Sequence, residues 1–221
     1  MNLLSISTAS DILSISLCQN DKLVQSFNSK NIRQHAELIV PSIKAIIEKA
    51  NTTIVQLDGI CVNLGPGSFT GLRVGLSTAK GIAFGADLKM YCYFNFEELA
   101  YQVLIKKKIY GRCAVLIPAR KNEFYFAVYD LKDNIFTQIG SFELMQTNEF
   151  LEHAHYFDWI LTDERSKKIF ENKDLIGKII VTENDSYYGA LLVMSNPQKY
   201  LCKDFTYLEP LYLKNFELKR S

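Results

Sequence analysis

The chain has 221 residues, enough for one large domain or two small lobes with a real hydrophobic core. Hydrophobic residues make up 48% of it and charged residues 22%, the balance of a soluble globular protein. Its 25 basic and 24 acidic residues leave a net charge of +1, which excludes the broad basic surplus of a chain that binds nucleic acid unaided.

The opening reads as three short strands. Leu3–Thr8 and Ile12–Cys18 alternate apolar residues with serine around the turn Ala9, Ser10, Asp11, and Leu23–Phe27 follows a second turn at Gln19, Asn20, Asp21. A helical stretch runs from Arg33 to about Ala50, with Ala36, Ile39, Ile43, Ile46 or Ile47, and Ala50 at three- and four-residue spacing. Pro41 inside it predicts either a helix starting near Val40 or a kink. Leu57–Leu64 reads as a buried strand, Thr70–Gly85 as a helix, Leu88–Phe94 as a strand and Phe96–Ile105 as a helix. The run Lys106, Lys107, Lys108 reads as a solvated helix end.

The second half repeats the order. Arg112–Ile117, Glu123–Asp130 and Ile135–Phe142 are strand candidates, followed by a short helix at Asn148–His153, a strand at Asp158–Thr162 and helices at Arg165–Phe170 and around Tyr187–Met194. Three strands, helix, strand, helix, occurring twice, predicts an α/β protein of two lobes with mixed sheets, bounded as 1–108 and 109–221.

No apolar run approaches the ~20 residues of a membrane span. Residues 1–7 lack a positive n-region, so no signal peptide is expected. Five scattered cysteines (Cys18, Cys61, Cys92, Cys113, Cys202) with no CxxC argue against a disulfide framework and a zinc site, and point to the cytoplasm.

The most informative segment is Gly65, Pro66, Gly67, Ser68, Phe69, Thr70, Gly71, Leu72, Arg73, Val74, Gly75, between a predicted strand and a predicted helix. A glycine loop feeding a helix start is a natural anion site, and Gly65, Gly67, Ser68, Thr70 and Arg73 are its candidate anion or nucleotide contacts. The P-loop signature fails because Leu72, not lysine, follows Gly71. A dinucleotide fingerprint is weak: the glycines run G-x-G-x-x-x-G and Pro66 removes a donor, although Asp87 falls near the place of a ribose-binding acid. A tight turn that merely places the helix is the competing reading, with Ser68 or Thr70 as its cap.

Along that helix Gly71, Gly75, Ala79 and Ala83 are four apart and form one ridge, while Leu72, Leu76 and Ile82 supply core contacts. Two interior glycines cost about 1–2 kcal/mol relative to alanine, which a helix tolerates when another backbone must come close. The neighbour is either the helix around Ile39–Ile47 or a helix of a partner subunit.

No catalytic or metal constellation emerges. His153 and His155 lack both ligand spacing and a third ligand, and read as surface residues. His35 reads as a capping or solvated residue at a helix start. Ser5, Ser7 and Ser10 show no nucleophile elbow, and Glu123 and Asp130 have no demonstrable carboxylate partner. The residues supply no catalytic group, metal site or cofactor.

The segment Gly65–Ala83, GPGSFTGLRVGLSTAKGIA, closely resembles the signature of the TsaB (YeaZ) family of the bacterial threonylcarbamoyladenosine tRNA-modification machinery. The opening LLSISTAS, the helix start RQHAELIVPSI, the middle segment PARKNEFYFAVYD and the tail EPLYLK match in order, leaving 140–200 largely unmatched. The resemblance implies an actin-like ATPase superfold of two RNase-H-like lobes, with the extreme C-terminus returning to the first. It implies a non-catalytic scaffold and activator of a TsaD-like catalytic subunit, joined by a TsaE-like ATPase, meeting tRNA only through the complex and able to form a homodimer through the same surface. Gly71, Gly75, Ala79, Ala83, His35, Ile39 and Ile43 become the candidate partner interface. Ser7, Thr8, Ala9 stand where the family commonly carries Asp-Thr-Ser. Pro118 stands where an acid is common, and Ala36 replaces a serine. Loss of the strand acids argues against independent nucleotide hydrolysis. The alternatives are a nucleotide-hydrolysing or glycoprotease-like enzyme of the same superfold, or a homodimeric regulatory protein.

Overall fold

The computed structural model describes residues 1–31, 34–133, 135–170 and 175–213. The chain divides into two compact units. One is Met1–Gln102 with Glu183–Pro210, and the other is Val103–Thr182 with the described residues from Leu211 on. The expected boundary at 108 therefore shifts back into a helix. A long internal segment, Glu183–Pro210, returns to the first unit, and the extreme C-terminus expected there lies outside the described residues.

The first unit opens with β1 (Asn2–Ser7), β2 (Leu13–Gln19) and β3 (Lys22–Ser29), an antiparallel meander. Asn20 and Asp21 both adopt positive φ in the β2–β3 turn, a conformation that short polar side chains tolerate. Helix α1 (His35–Lys49) runs through Pro41 without ending there, with Glu37 in its first turn and Lys49 in its last to complement the dipole. The predicted start at Arg33 lies outside the described residues. Strand β4 (Gly59–Asn63), helix α2 (Phe69–Gly85), strand β5 (Lys89–Tyr93) and helix α3 (Asn95–Lys107) follow. The return segment adds α6 (Ser186–Ser195), α7 (Pro197–Tyr200) and β11 (Leu201–Cys202).

The sheet order is β11-β5-β4-β1-β2-β3, with β1, β4 and β5 parallel and β2, β3 and β11 antiparallel to their neighbours. Its period-2 alternation sends Leu4, Ile6, Leu13, Ile15 and Leu17 to one face, where they meet Ile39, Ile43, Ile46 and Ile47 of α1 and Leu76 of α2 in one apolar core. Ser14 and Ser16 point to the other face, where α6 lies. Ser186 of α6 bonds both hydroxyls, at 3.0 Å to Ser14 and 2.8 Å to Ser16. Gly189 leaves room for the Tyr93 ring, which any Cβ there would overlap. The serine-rich opening is thus the floor beneath a helix.

The second unit repeats the order with β6 (Gly111–Pro118), β7 (Glu123–Lys132), β8 (Ile135–Gln146), α4 (Thr147–His153), β9 (Trp159–Thr162), α5 (Glu164–Phe170) and β10 (Ile179–Val181), arranged β10-β9-β6-β7-β8. This is an RNase-H-like order in each unit, with mixed sheets. The second core is aromatic: Phe124, Phe126, Phe150, Phe157 and Phe170 cluster, with the Phe150 and Phe157 rings stacked at 5.9 Å.

Candidate functional site

The glycine loop packs onto its own unit. A Cβ at Gly67 would run into the Ala9 backbone, and Gly65 holds φ +94, a conformation that favours glycine. The Gly65 N–H donates to Asn63 Oδ1 at 2.8 Å, the Ser68 N–H to the Ala9 carbonyl at 2.7 Å, and the Gly71 N–H to Ser68 Oγ at 3.3 Å. Ser68 is the helix cap. Three of the donors an anion would use are therefore spent inside the chain, and the loop acts as the turn that places α2. Thr70 and Arg73 are exposed, and the Arg73 guanidinium lies 4.0 Å from the centre of the Phe69 ring.

The ridge also faces inward, which corrects its assignment to a partner. A Cβ on Gly71 would overlap the Thr8 carbonyl oxygen, and one on Gly75 would overlap Thr8 Oγ1. Ala79 and Ala83 lie in the apolar core. The close neighbour is the end of β1, not another helix. Ile39 and Ile43 belong to the same core, so they too are unavailable to a partner. His35 is 3% exposed, with Nε2 3.3 Å from the Asp11 carbonyl oxygen, and burial holds its ring below the usual imidazole range. It is not solvated. All seven residues expected at an interface are buried in their own unit.

What α2 shows outward went unremarked in the sequence. Phe69, Arg73, Ser77, Gly81 and Phe84 are exposed, and Phe84 is 84% exposed. Gly81 has no atom within 4 Å of where its Cβ would be, so nothing in the described chain explains an interior helix glycine there. The outer side of α1 adds Ala36, Val40 and Pro41, with Val40 59% exposed. The available signal was spacing: Arg73, Ser77, Gly81 and Gly85 form a second four-residue ridge, offset from the first.

Where the parallel strands end, sequence reading found nothing, and the structure assembles a buried polar cluster. Asn63 at the end of β4 donates from Nδ2 to Ser7 Oγ (3.2 Å) and to the Glu98 carboxylate (2.8 Å). The other Glu98 oxygen accepts from Asn184 Nδ2 at 2.9 Å and from the Asp185 N–H at 2.8 Å. Asn184 also donates to Asn95. Burial pushes the Glu98 carboxyl above the usual range, opposed by those donors. The carboxylate is fully buried and surrounded by donors of its own chain, an arrangement that clasps the return segment to β4 and α3. Among the described residues no group of three or more His, Cys, Asp or Glu is placed to hold a metal, and no helix is long and apolar enough to cross a membrane.

Comparison with known proteins fits this frame. Residues 24–178 match the family model described as tRNA N6-adenosine threonylcarbamoyltransferase, TsaD. The tRNA threonylcarbamoyladenosine biosynthesis protein TsaB of Haemophilus influenzae is 28% identical over 97% of this chain and 94% of its own length. The chain belongs to the TsaD family that this model describes, and it is similar over almost its whole length to TsaB. The TsaB of Escherichia coli is 33% identical over 61% of this chain and 57% of its own length. The solved structure of YeaZ from Pseudomonas aeruginosa superposes with a TM-score of 0.77 at 18% identity, covering 96% of this chain and 99% of that one, so the two-unit fold is shared throughout. Curated members of the family carry the name of tRNA threonylcarbamoyladenosine biosynthesis proteins.

Proposed function

We propose that this chain is a non-catalytic scaffold and activator of a TsaD-type subunit in the formation of threonylcarbamoyladenosine on tRNA beside the anticodon. The observation that carries this reading is the outer face of α2, where an unexplained interior glycine, Gly81, lies three residues from the exposed Phe84. A bare glycine lets a neighbouring backbone approach, and aromatic residues are enriched at protein interfaces. The outer side of α1, with Val40, extends that face. The same face pairs two copies of the chain when the TsaD-type subunit is absent. A TsaE-like ATPase joins the assembled pair, and tRNA meets the chain only there.

The strand acids whose loss argues against independent catalysis are replaced by Ser7, which accepts from Asn63, and by Pro118 at the end of β6. Co-purification with the TsaD-type subunit, followed by nucleoside analysis of tRNA from depleted cells, tests the proposal. Phe84→Asp should weaken the pairing about 30-fold, from the ~2 kcal/mol of an interface hot spot, with unfolding unchanged. Normal pairing by that variant sinks the surface assignment. Nucleotide or peptide turnover by the isolated chain at an enzyme-like rate sinks the scaffold itself.

A further inference from the structure

Strand β11 brings two thiols together at the sheet edge. It pairs antiparallel to β5 with Leu201 opposite Tyr91 and Cys202 opposite Met90. Cys92 is then the diagonal neighbour of Cys202 and shares its face of the sheet. Cys202 Sγ donates to the Asp204 carbonyl at 3.3 Å, and after burial its nearness is the next cause that holds the Cys92 thiol up. Both are free and half-buried, whereas Cys18, Cys61 and Cys113 are buried. Burial pushes the Cys18 thiol up to about 12 and the Cys61, Cys113 and Cys92 thiols higher still.

The surroundings of the pair are unusual for structural cysteines. Lys80 of α2 stands close enough to favour the Cys92 thiolate, against the burial that holds this thiol up. The same ammonium donates to the carbonyls of Thr206 at 3.0 Å and Leu208 at 2.8 Å. Phe205 and Leu208 rest on the apolar core. One lysine thus sits beside the thiol pair and anchors the segment that follows it.

We propose that Cys92 and Cys202 form an oxidisable dithiol, a modification site whose disulfide staples β11 and the segment after it to β5. The oxidant is a low-molecular-weight disulfide. Cys92 packs against the core, so Cys202 attacks first. Its thiolate bonds to one sulfur of the oxidant, the oxidant's S–S bond breaks, and one small thiolate leaves and takes up the proton that Cys202 lost. The Cys92 thiolate then attacks Cys202 Sγ. The second small thiolate leaves and takes the Cys92 proton. Two protein thiols are oxidised, and one small disulfide is reduced to two thiols. Closure needs Cβ atoms about 3.8 Å apart, nearer than a diagonal pair in a regular sheet, so the short edge strand must shift. Such a bond is readily reduced again, as suits a switch and not a permanent brace.

The test uses the full chain, oxidised with glutathione disulfide and then alkylated. The expected result is the loss of two hydrogens in the intact mass, a peptide cross-link joining Cys92 to Cys202, and reversal by dithiothreitol. Cys92→Ser should stop at a single glutathione on Cys202, and Cys202→Ser should stay unlinked. Circular dichroism confirms that both variants remain folded. A wild-type chain that stays reduced, that carries glutathione without cross-linking, or that links a different pair overturns the proposal. None of these outcomes bears on partner binding, so the proposed function stands or falls separately.

Discussion

On one face of the first sheet, α1 and α2 rest on Leu4, Ile6, Leu13 and Ile15. On the opposite face, α6 rests on Ser14 and Ser16 and is bonded to them through Ser186. The aliphatic face is defined by volume, and cores of that kind accept repacking when volume is conserved. The hydroxyl face is defined by matched donors and acceptors, so it holds α6 in one position and leaves stranded polar groups when α6 shifts. Each side has its own glycine seat, Gly75 against Thr8 and Gly189 against Tyr93. Helix α2 has an inner side fixed by close contact and an outer side that is exposed, as the proposed partner-facing surface requires.

The sharpest way to break this picture is Gly75→Leu. Its Cβ meets Thr8 Oγ1, and the remaining atoms have no space, so the variant should lose about 3 kcal/mol or more, seen in urea unfolding. Melting like the parent would mean that α2 is not tightly seated. On the polar side, Glu98→Gln puts an amide among donors and should cost about 2 kcal/mol.

The pH dependence of the Glu98→Gln effect has a definite sign. Burial raises the Glu98 carboxyl above its unfolded value, so the folded chain holds the proton more tightly than the unfolded one. The parent should therefore gain stability relative to Glu98→Gln as the pH falls through the raised folded value toward the ordinary carboxylate range. The buried His35 ring, lowered by burial, pulls the other way on acidification, but it is common to both chains and cancels. A gap that narrows toward acid would remove Glu98 as the clasp. The smallest effect is expected outside: Gly81→Ala should stabilise the chain by about 1 kcal/mol, because its Cβ meets nothing.

Much of the architecture was legible in the sequence because its elements are periodic and long. The three-strand openings of both units, the α1 and α2 stretches and the cap at Ser68 follow from alternation, spacing and turn chemistry. β10 and β11 went unseen because three and two residues carry no period. The ridge was found but turned the wrong way. A helix with small or apolar residues on both Gly71–Ala83 and Leu72–Leu76 shows two candidate inner faces, and only Thr8 decides between them. Phe84 was passed over because an aromatic in a helix usually reads as core. Asn63, Glu98 and Asn184 are separated by 35 and 86 positions, too far for any local pattern to join them.

The discontinuity of the first unit also orders events at the ribosome. Ser14 emerges 172 positions before the Ser186 that bonds it. At about 5–20 residues per second, that is a delay on the order of ten to thirty seconds. The aromatic second unit lies almost entirely within the interval, in one continuous stretch, so it can condense while its predecessor still waits with one side of its sheet bare. The first sheet's hydroxyl face is thus covered only after the strands of the second unit have been made.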